Sequence, residues 1–350
     1  MPEVPTENAL FPDFGAFGAI DPDINSTRAQ SWNVIVERQI GSVWQASVGY
    51  LGSRLDRIWG QVQVNPGVFM GLGPCAISGV NYPVCSTNAN LNQRRALSLE
   101  NAAASRQLGP IDKHAAVGTQ DYHALRLSMQ RRAASGVRMS GNYTRSYCVG
   151  NNAQLTFGQV GAGFLKPDDP AFDRGNCTQD RRHIANLTLG AQTPEFTNTA
   201  LRILASDWSV SGIVNARSGS WLTVTTARDV ALIGIAAQRP NQVLDDPYGN
   251  GTVGNFLNPA AFAYPAPGTL GDHVRNSVEG PAYWNIDLSI ARRIAAGGSR
   301  HVEVRLETFN LLNHFNWGNP TVNLDAANFG QIQTQAGSPR VLQFGIKYGF

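Results

Sequence analysis

The last ten residues, Val341 to Phe350, constrain this chain more than any other stretch. Leu342, Phe344, Ile346, Tyr348 and Phe350 alternate with Gln343, Gly345, Lys347 and Gly349, and only Val341 breaks the pattern. Strict period-two alternation makes a strand with one apolar and one polar face. A soluble domain would fray or cap such an end, because an exposed apolar edge invites aggregation. A strand that is apolar outward, polar inward and aromatic at its end suits the closing strand of an outer-membrane barrel. The competing reading of this segment alone is a half-buried strand of a soluble β-sandwich.

The same alternation recurs along the chain. It appears around Trp32–Val36, Trp44–Tyr50, Leu125–Met129, Val137–Tyr143, Ala185–Ala191, Trp208–Val214, Trp284–Ile290 and Val302–Leu306, with Ile35 and Ile213 interrupting the polar side. The polar face carries Arg126, Arg138, Asp287, Glu303, Arg305 and Glu307 in mid-strand. A solvated sheet or a water-filled lumen accepts these equally. The apolar face places Trp32, Trp44, Tyr50, Tyr143, Trp208, Trp284, Tyr348 and Phe350 near strand ends. Barrels set amphipathic rings at headgroup level as girdles, whereas a sandwich core scatters them centrally.

The connections alternate in length. Short ones lie at Gln39–Ser42, Arg132–Gly136 and Ala295–Arg300, with an intermediate one at Pro194–Ser206. Long ones cover Leu51–Gln120, Cys148–Arg181, Gly219–Ala282 and Leu312–Arg340. Unstructured loops of this length are unusual in a compact soluble domain. Short turns at one end and long extracellular loops at the other are the barrel arrangement. The expected fold is therefore all-β: an antiparallel transmembrane β-barrel, partial, with about nine spanning strands. Residues 1–28 are expected to form an extracellular loop segment and residues 29–350 the barrel portion. Leu288, Ile290, Val304 and Leu306 should face lipid, and Asp287, Glu303 and Arg305 the lumen.

Composition fits this reading. The mean hydropathy of −0.20 is no obstacle, since half of each spanning strand faces water. No apolar run of about 18 residues is present, so no transmembrane helix is expected. The balance of 28 basic and 25 acidic residues gives a net charge of +3, and no cluster exceeds a pair such as Arg131-Arg132, so nucleic acid is not an expected partner. Gly at 36 and Pro at 19 favour turns. The best helical candidate is Asn90–Leu108. Met1–Gly15 has neither a basic start nor an apolar core, so no signal peptide is visible.

Four cysteines permit three pairings. Proximity favours Cys75–Cys85 and Cys148–Cys177, each stapling one surface loop outside the proposed spanning segments. The alternative, a zinc site, lacks C-x-x-C spacing. Other chemistry is weakly supported. His114, His123, His183, His273, His301 and His314 are scattered and read as isolated lumen or loop residues. Gly158–Gly163 has the wrong order for a dinucleotide loop. Asp168-Asp169 and Asp245-Asp246 lack the spaced ligands of an EF-hand and read as solvated acidic turns. With no G-x-S-x-G motif, no catalytic site and no cofactor is expected. The chain reads as a non-enzyme.

Several segments carry a family resemblance. Phe309-Asn310-Leu311-Leu312-Asn313-His314-Phe315-Asn316-Trp317-Gly318-Asn319-Pro320, Asn328-Phe329-Gly330-Gln331-Ile332 and the final strand with Phe344, Ile346, Tyr348 and Phe350 resemble the C-terminal end of TonB-dependent outer-membrane receptors, most nearly the Oar-like subgroup. Phe256–Phe262, Gly268–Gly271, Arg275–Ser277, Tyr283–Ser289, Gln30–Arg38 and Gly49–Arg54 are similar to family segments too. The resemblance implies a plug domain inside a barrel of about 22 strands and TonB-energised uptake or binding of a large nutrient. It further implies outer-membrane lipid, an unidentified large ligand, the TonB complex reached through the plug, and the barrel-assembly machinery reached through the C-terminal strand as partners. This chain shows no plug or TonB box, so it is expected to be the C-terminal part of a receptor that aggregates when expressed alone. The alternative is a secreted or surface β-protein that binds glycans or cells through its long loops.

Overall fold

The structure, a computed structural model, describes residues 11–151 and 163–350. An 11-stranded sheet dominates it. Nine of the strands run consecutively, each antiparallel to the next: β1 (Arg28–Ile40), β2 (Trp44–Gln63), β3 (Leu108–Ala134), β4 (Val137–Gly150), β5 (His183–Gln192), β6 (Trp208–Arg217), β7 (Tyr283–Ala295), β8 (His301–Phe309) and β9 (Val341–Gly349). This is the expected all-β meander of nine strands. Sequence neighbours are sheet neighbours throughout, the simplest topology a chain of linked hairpins can adopt.

Register explains why the alternation matters. Val36, Val48, Leu127, Tyr143, Ala185, Ala216 and Trp284 are opposed in one row across seven strands. Val137, Ala191, Val210, Ile290, Leu306 and Phe344 form a second row on the same face. A slip of one residue in any strand would turn its apolar set to the polar face. Leu288, Ile290, Val304 and Leu306 therefore share one face, and Asp287, Glu303 and Arg305 the other. The described residues leave the apolar face uncovered: Phe344 is 77% and Ile346 80% exposed. An apolar surface of this extent requires a non-aqueous partner, and the membrane supplies it.

Aromatic residues fall into two bands on that face. Trp44, Trp208 and Tyr348 sit at the short-turn end, and Trp32, Tyr50, Tyr143 and Trp284 toward the long-connection end. The indole of Trp32 lies flat across Gly52, where a Cβ would be 2.3 Å from its Nε1. Only glycine leaves room for that cross-strand packing.

The hydrophobic core is not in the wall. Val224, Leu257, Ala261 and Val278 are fully buried, Phe262 and Phe329 nearly so, and all belong to the long connections. These connections are the long loops expected, and they pack against one another as a folded cap. The first is shorter than expected, because β2 extends to Gln63 and β3 starts at Leu108. A membrane needs only about 9–11 residues per strand, so the 20 residues of β2 and 27 of β3 project well beyond it. Residues 1–28, expected as loop, contain a strand at Gly15–Ile20 that pairs parallel with the projecting part of β3. The helix expected over Asn90–Leu108 shrinks to Ala96–Glu100, preceded by a 3-10 turn at Asn92–Arg94. The intermediate connection holds a helix, Thr199–Ala205, that periodicity did not flag. No described helix is long and apolar enough to cross a membrane.

Candidate functional site: a polar wall beneath a folded cap

At mid-height the polar face of the wall is dominated by short, uncharged hydrogen-bonding side chains, with charged residues among them. One row across seven strands reads Glu37, Ser47, Ser128, Asn142, Asn186, Asn215 and Asn285. Four adjacent strands thus present asparagine at the same height. Asn186 donates to Asn142 Oδ1 at 3.2 Å, and Asn215 donates to Asn285 Oδ1 at 3.3 Å. Asn285 in turn donates to Asp287 Oδ1 at 3.0 Å, which also accepts the Asn310 backbone N–H at 2.9 Å. The row ends by fixing the start of the last long connection.

Toward the short-turn end the face becomes charged. Arg305 lies between Glu303 at 2.6 Å and Glu307 at 3.5 Å, and Arg293 approaches Glu303 at 3.8 Å. Lys347 stands opposite Glu303 on β9. Solvated pairs of this kind add little stability. They do make the surface wet and ion-compatible, as a lumen requires.

Over the other end lies the cap, in which residues 64–107, 163–182, 218–282 and 310–340 interlock. Buried Arg94 ties the first to the third by donating to the carbonyls of Thr87 and Leu232 at 2.9 and 3.1 Å. Burial pushes its pKa below the usual arginine value, against the pull of Asp229. Arg239 and Asp173, both buried, form an ion pair joining the second segment to the third. The same carboxylate accepts Leu165 N–H at 2.7 Å, so both its oxygens are satisfied, as a buried charge demands. Asp325 joins the fourth to the third. It accepts Thr226 Oγ1 at 2.5 Å, Ala227 N–H at 2.8 Å, Tyr264 Oη at 2.8 Å and Arg228 Nε at 2.5 Å. Burial alone would raise its pKa, but these donors outweigh burial and hold it down to about 2.

Cys75 bonds Cys85, and Cys148 bonds Cys177, with Cα separations of 5.2 and 5.3 Å. Cys148 is on strand β4 opposite Tyr122, not in a loop as expected, because the strand overshoots the membrane. The histidines are not all isolated lumen or loop residues. His123 and His183 lie on the apolar face of the wall, where Tyr50 and Tyr143 each meet a ring Nδ1 at 2.7 Å. His314 stacks on Trp284 at 4.1 Å. His273 is buried in the cap, accepting Val224 N–H at 3.1 Å, with Phe262 edge-on at 5.3 Å. Asp169 stands at the start of a 3-10 turn and pairs with Lys166 at 3.3 Å, and Asp246 accepts the Tyr248 N–H, so both acidic pairs lie at turns. Gly158–Ala162 lie outside the described residues; Gly163 packs on Gln61. Among the described residues no group of three His, Cys, Asp or Glu could hold a metal. Sequence reasoning missed the asparagine row, because strand registers bring together residues up to 143 positions apart. An asparagine at the same phase in four successive strands was the available signal.

Among solved structures the chain is similar to the outer membrane transporter YddB from Escherichia coli (TM-score 0.46, 9% identity, covering 93% of this chain and 33% of that one). It is similar to the pyoverdine outer membrane receptor FpvA from Pseudomonas aeruginosa PAO1 (TM-score 0.42, 12% identity, 93% and 30%). The FrpB iron transporter from Neisseria meningitidis is a further neighbour (TM-score 0.42, 10% identity, 94% and 32%). The chain spans 33% or less of the length of these three proteins. No curated protein matches it. The family model described as "Outer membrane beta barrel domain" matches residues 1–343. With the apolar face turned to lipid and nearly the whole chain matched, this protein belongs to the outer membrane beta barrel domain family and resides in the outer membrane.

Proposed function

We propose that this chain is part of the barrel of a TonB-dependent receptor of the Oar-like subgroup, which binds a large nutrient at its cap and admits it along the polar wall. The observation that carries this reading is the cap itself. Four long connections, which could have been separate loops, form one body with its own core above a hydrogen-bonding wall. A pre-ordered body presents a fixed recognition surface and loses little entropy on binding. The motifs from Phe309 to Pro320 and at the C-terminal strand support the receptor type. The reading is of binding and transport, not catalysis.

Closure is part of the same reading. Strands β1 and β9 are the edges of the nine-strand path, and an odd number makes them run in the same direction. They cannot pair antiparallel with each other. Unpaired backbone groups in hydrocarbon cost several kcal/mol each, so further strands, odd in number, complete the barrel. The plug and TonB complex belong to that larger assembly, and β9 is the strand offered to the assembly machinery.

The test is uptake in the source bacterium. Deleting the gene and, separately, disabling TonB should abolish uptake of the same labelled large nutrient from a screened panel. Uptake that depends on the gene but continues without TonB would overturn the receptor type.

A further inference from the structure

We propose that the helix Thr199–Ala205 is an interfacial anchor lying in the headgroup layer of the periplasmic leaflet, with phospholipid as its partner. The helix interrupts the β5–β6 hairpin at the short-turn end, which in outer-membrane barrels is periplasmic. Its base is stapled: Thr193 N–H donates to the Trp208 carbonyl at 2.9 Å, and Trp208 N–H returns to Thr193 Oγ1 at 2.9 Å.

The sequence Thr199-Ala200-Leu201-Arg202-Ile203-Leu204-Ala205 is amphipathic. At 3.6 residues per turn, Ala200, Leu201, Ile203 and Leu204 share one side, and Arg202 falls opposite. Among the described residues nothing covers the apolar side: Leu201 is 49%, Ile203 59% and Leu204 71% exposed. A helix this short is unstable by itself in water. Three attachments hold it: the Asn198 side chain accepts Leu201 N–H at 3.2 Å, Trp208 Nε1 donates to the Leu204 carbonyl at 2.9 Å, and Arg292 donates to the Ile203 carbonyl.

Those attachments identify the occupant. Trp208 and Arg292 are opposed on the lipid-facing side, in the row that continues to Val304 and Ile346. The Arg292 guanidinium also lies over the Trp208 ring at 5.4 Å. The helix is thus tied by two carbonyls to the rim of the lipid-facing band, at the level of the Trp44, Trp208 and Tyr348 girdle. Its apolar side continues that band, while Arg202 is placed to meet lipid phosphates. An apolar face buried at the headgroup boundary with a basic residue opposite is how interfacial helices bind. The other short turns, at 41–43, 135–136 and 296–300, carry Gly, Ser, Ala, Val and Arg, with no comparable apolar surface.

Site-directed spin labelling of the whole receptor in its native outer membrane tests this. The four cysteines of this chain form disulfides, so Leu204→Cys, Val210→Cys and Ser299→Cys each add one reactive thiol, and the spectrum of the unsubstituted protein is subtracted as background. Val210 reports the wall, and Ser299 a water-exposed turn at the same end. We expect Leu204 to resemble Val210, relaxed by oxygen and shielded from a water-soluble nickel chelate, with Ser299 the reverse. A lipid signal at Val210 with a water signal at Leu204 overturns the anchor and leaves the wall intact. Water signals at both overturn the facing of the wall and the anchor with it. Shielding of Leu204 from both reagents means that protein covers the helix, which also overturns the proposal.

Discussion

Asn176 and Asn276, 100 residues apart in the chain, each donate a side-chain N–H to the other's backbone carbonyl, at 2.8 and 2.6 Å. Asn276 also accepts Thr223 Oγ1 at 2.8 Å, and its φ of 51° is one that asparagine tolerates better than most residues. The exchange welds two long connections where the second disulfide ends at Cys177. Asn276→Ala removes three side-chain bonds, the third to Thr178 Oγ1 at 3.2 Å, and leaves partly buried partners unpaired, costing about 1–3 kcal/mol. Hydrogen exchange should rise across residues 175–182 and 220–224, with no change in strands β7 to β9.

Facing can be tested by a charge on either side of one strand. Arginine at a midplane lipid-facing site costs about 2–4 kcal/mol, while a lumen substitution is tolerated. Leu306→Arg should therefore reduce the heat-modifiable folded fraction in outer membranes far more than Glu307→Arg. Equal losses would contradict the register that pairs Leu306 with Ile290 and Phe344.

The cap should respond to acid through His273. Burial, then the Arg239 charge, lowers its pKa to about 4, against the opposing pull of Asp272. The unfolded chain binds this proton near pH 6.5 and the folded cap does not. Cap stability is therefore complete above pH 6.5 and declines as pH falls toward 4, by at most about 1.4 kcal/mol per pH unit. Proteolytic resistance of residues 218–282 should fall over that window, and His273→Gln should flatten the dependence.

Close backbone approach gives a steric prediction. A Cβ on Gly219 would stand 1.8 Å from the Gly280 carbonyl oxygen. Gly219→Ala must separate the two ends of the third connection and break the Gly280 N–H bond to the Ser220 carbonyl at 2.8 Å. We expect the purified protein to lose protection at residues 218–224 and 276–282, whereas Gly254→Ala, with open space at its Cβ position, should be silent.

Each disulfide should stabilise the cap and not the wall. Closing loops of this size contributes about 2–4 kcal/mol. Reduction should speed exchange in residues 75–85 and near Cys177, with heat-modifiability unchanged. Concerted loss of the wall would show that cap and strands fold as one unit.

Period-two alternation was enough to determine the wall. Each spanning strand has a lipid face and a water face, so the pattern at Val302–Leu306 or Leu342–Phe350 specifies strand, facing and neighbour through local hairpins. The cap was not legible in the same way. Its core joins Val224, Leu257, Val278 and Phe329, which lie in loops and in strands of two or three residues, too short for burial to show a period. Its polar joints, such as Arg239 with Asp173 and Asn176 with Asn276, depend on how separate connections meet. The asparagine row lay between these cases: the strand phases were in the sequence, but alignment across strands needed the register. The helix at Thr199–Ala205 was hidden because seven residues carry too little periodicity, and its stability comes from Trp208 and Arg292. Sequence alone determined what each strand faces, because solvent and lipid act on every residue locally. Only the tertiary structure decided what the connections become, because their stability comes from contacts between residues far apart in the chain.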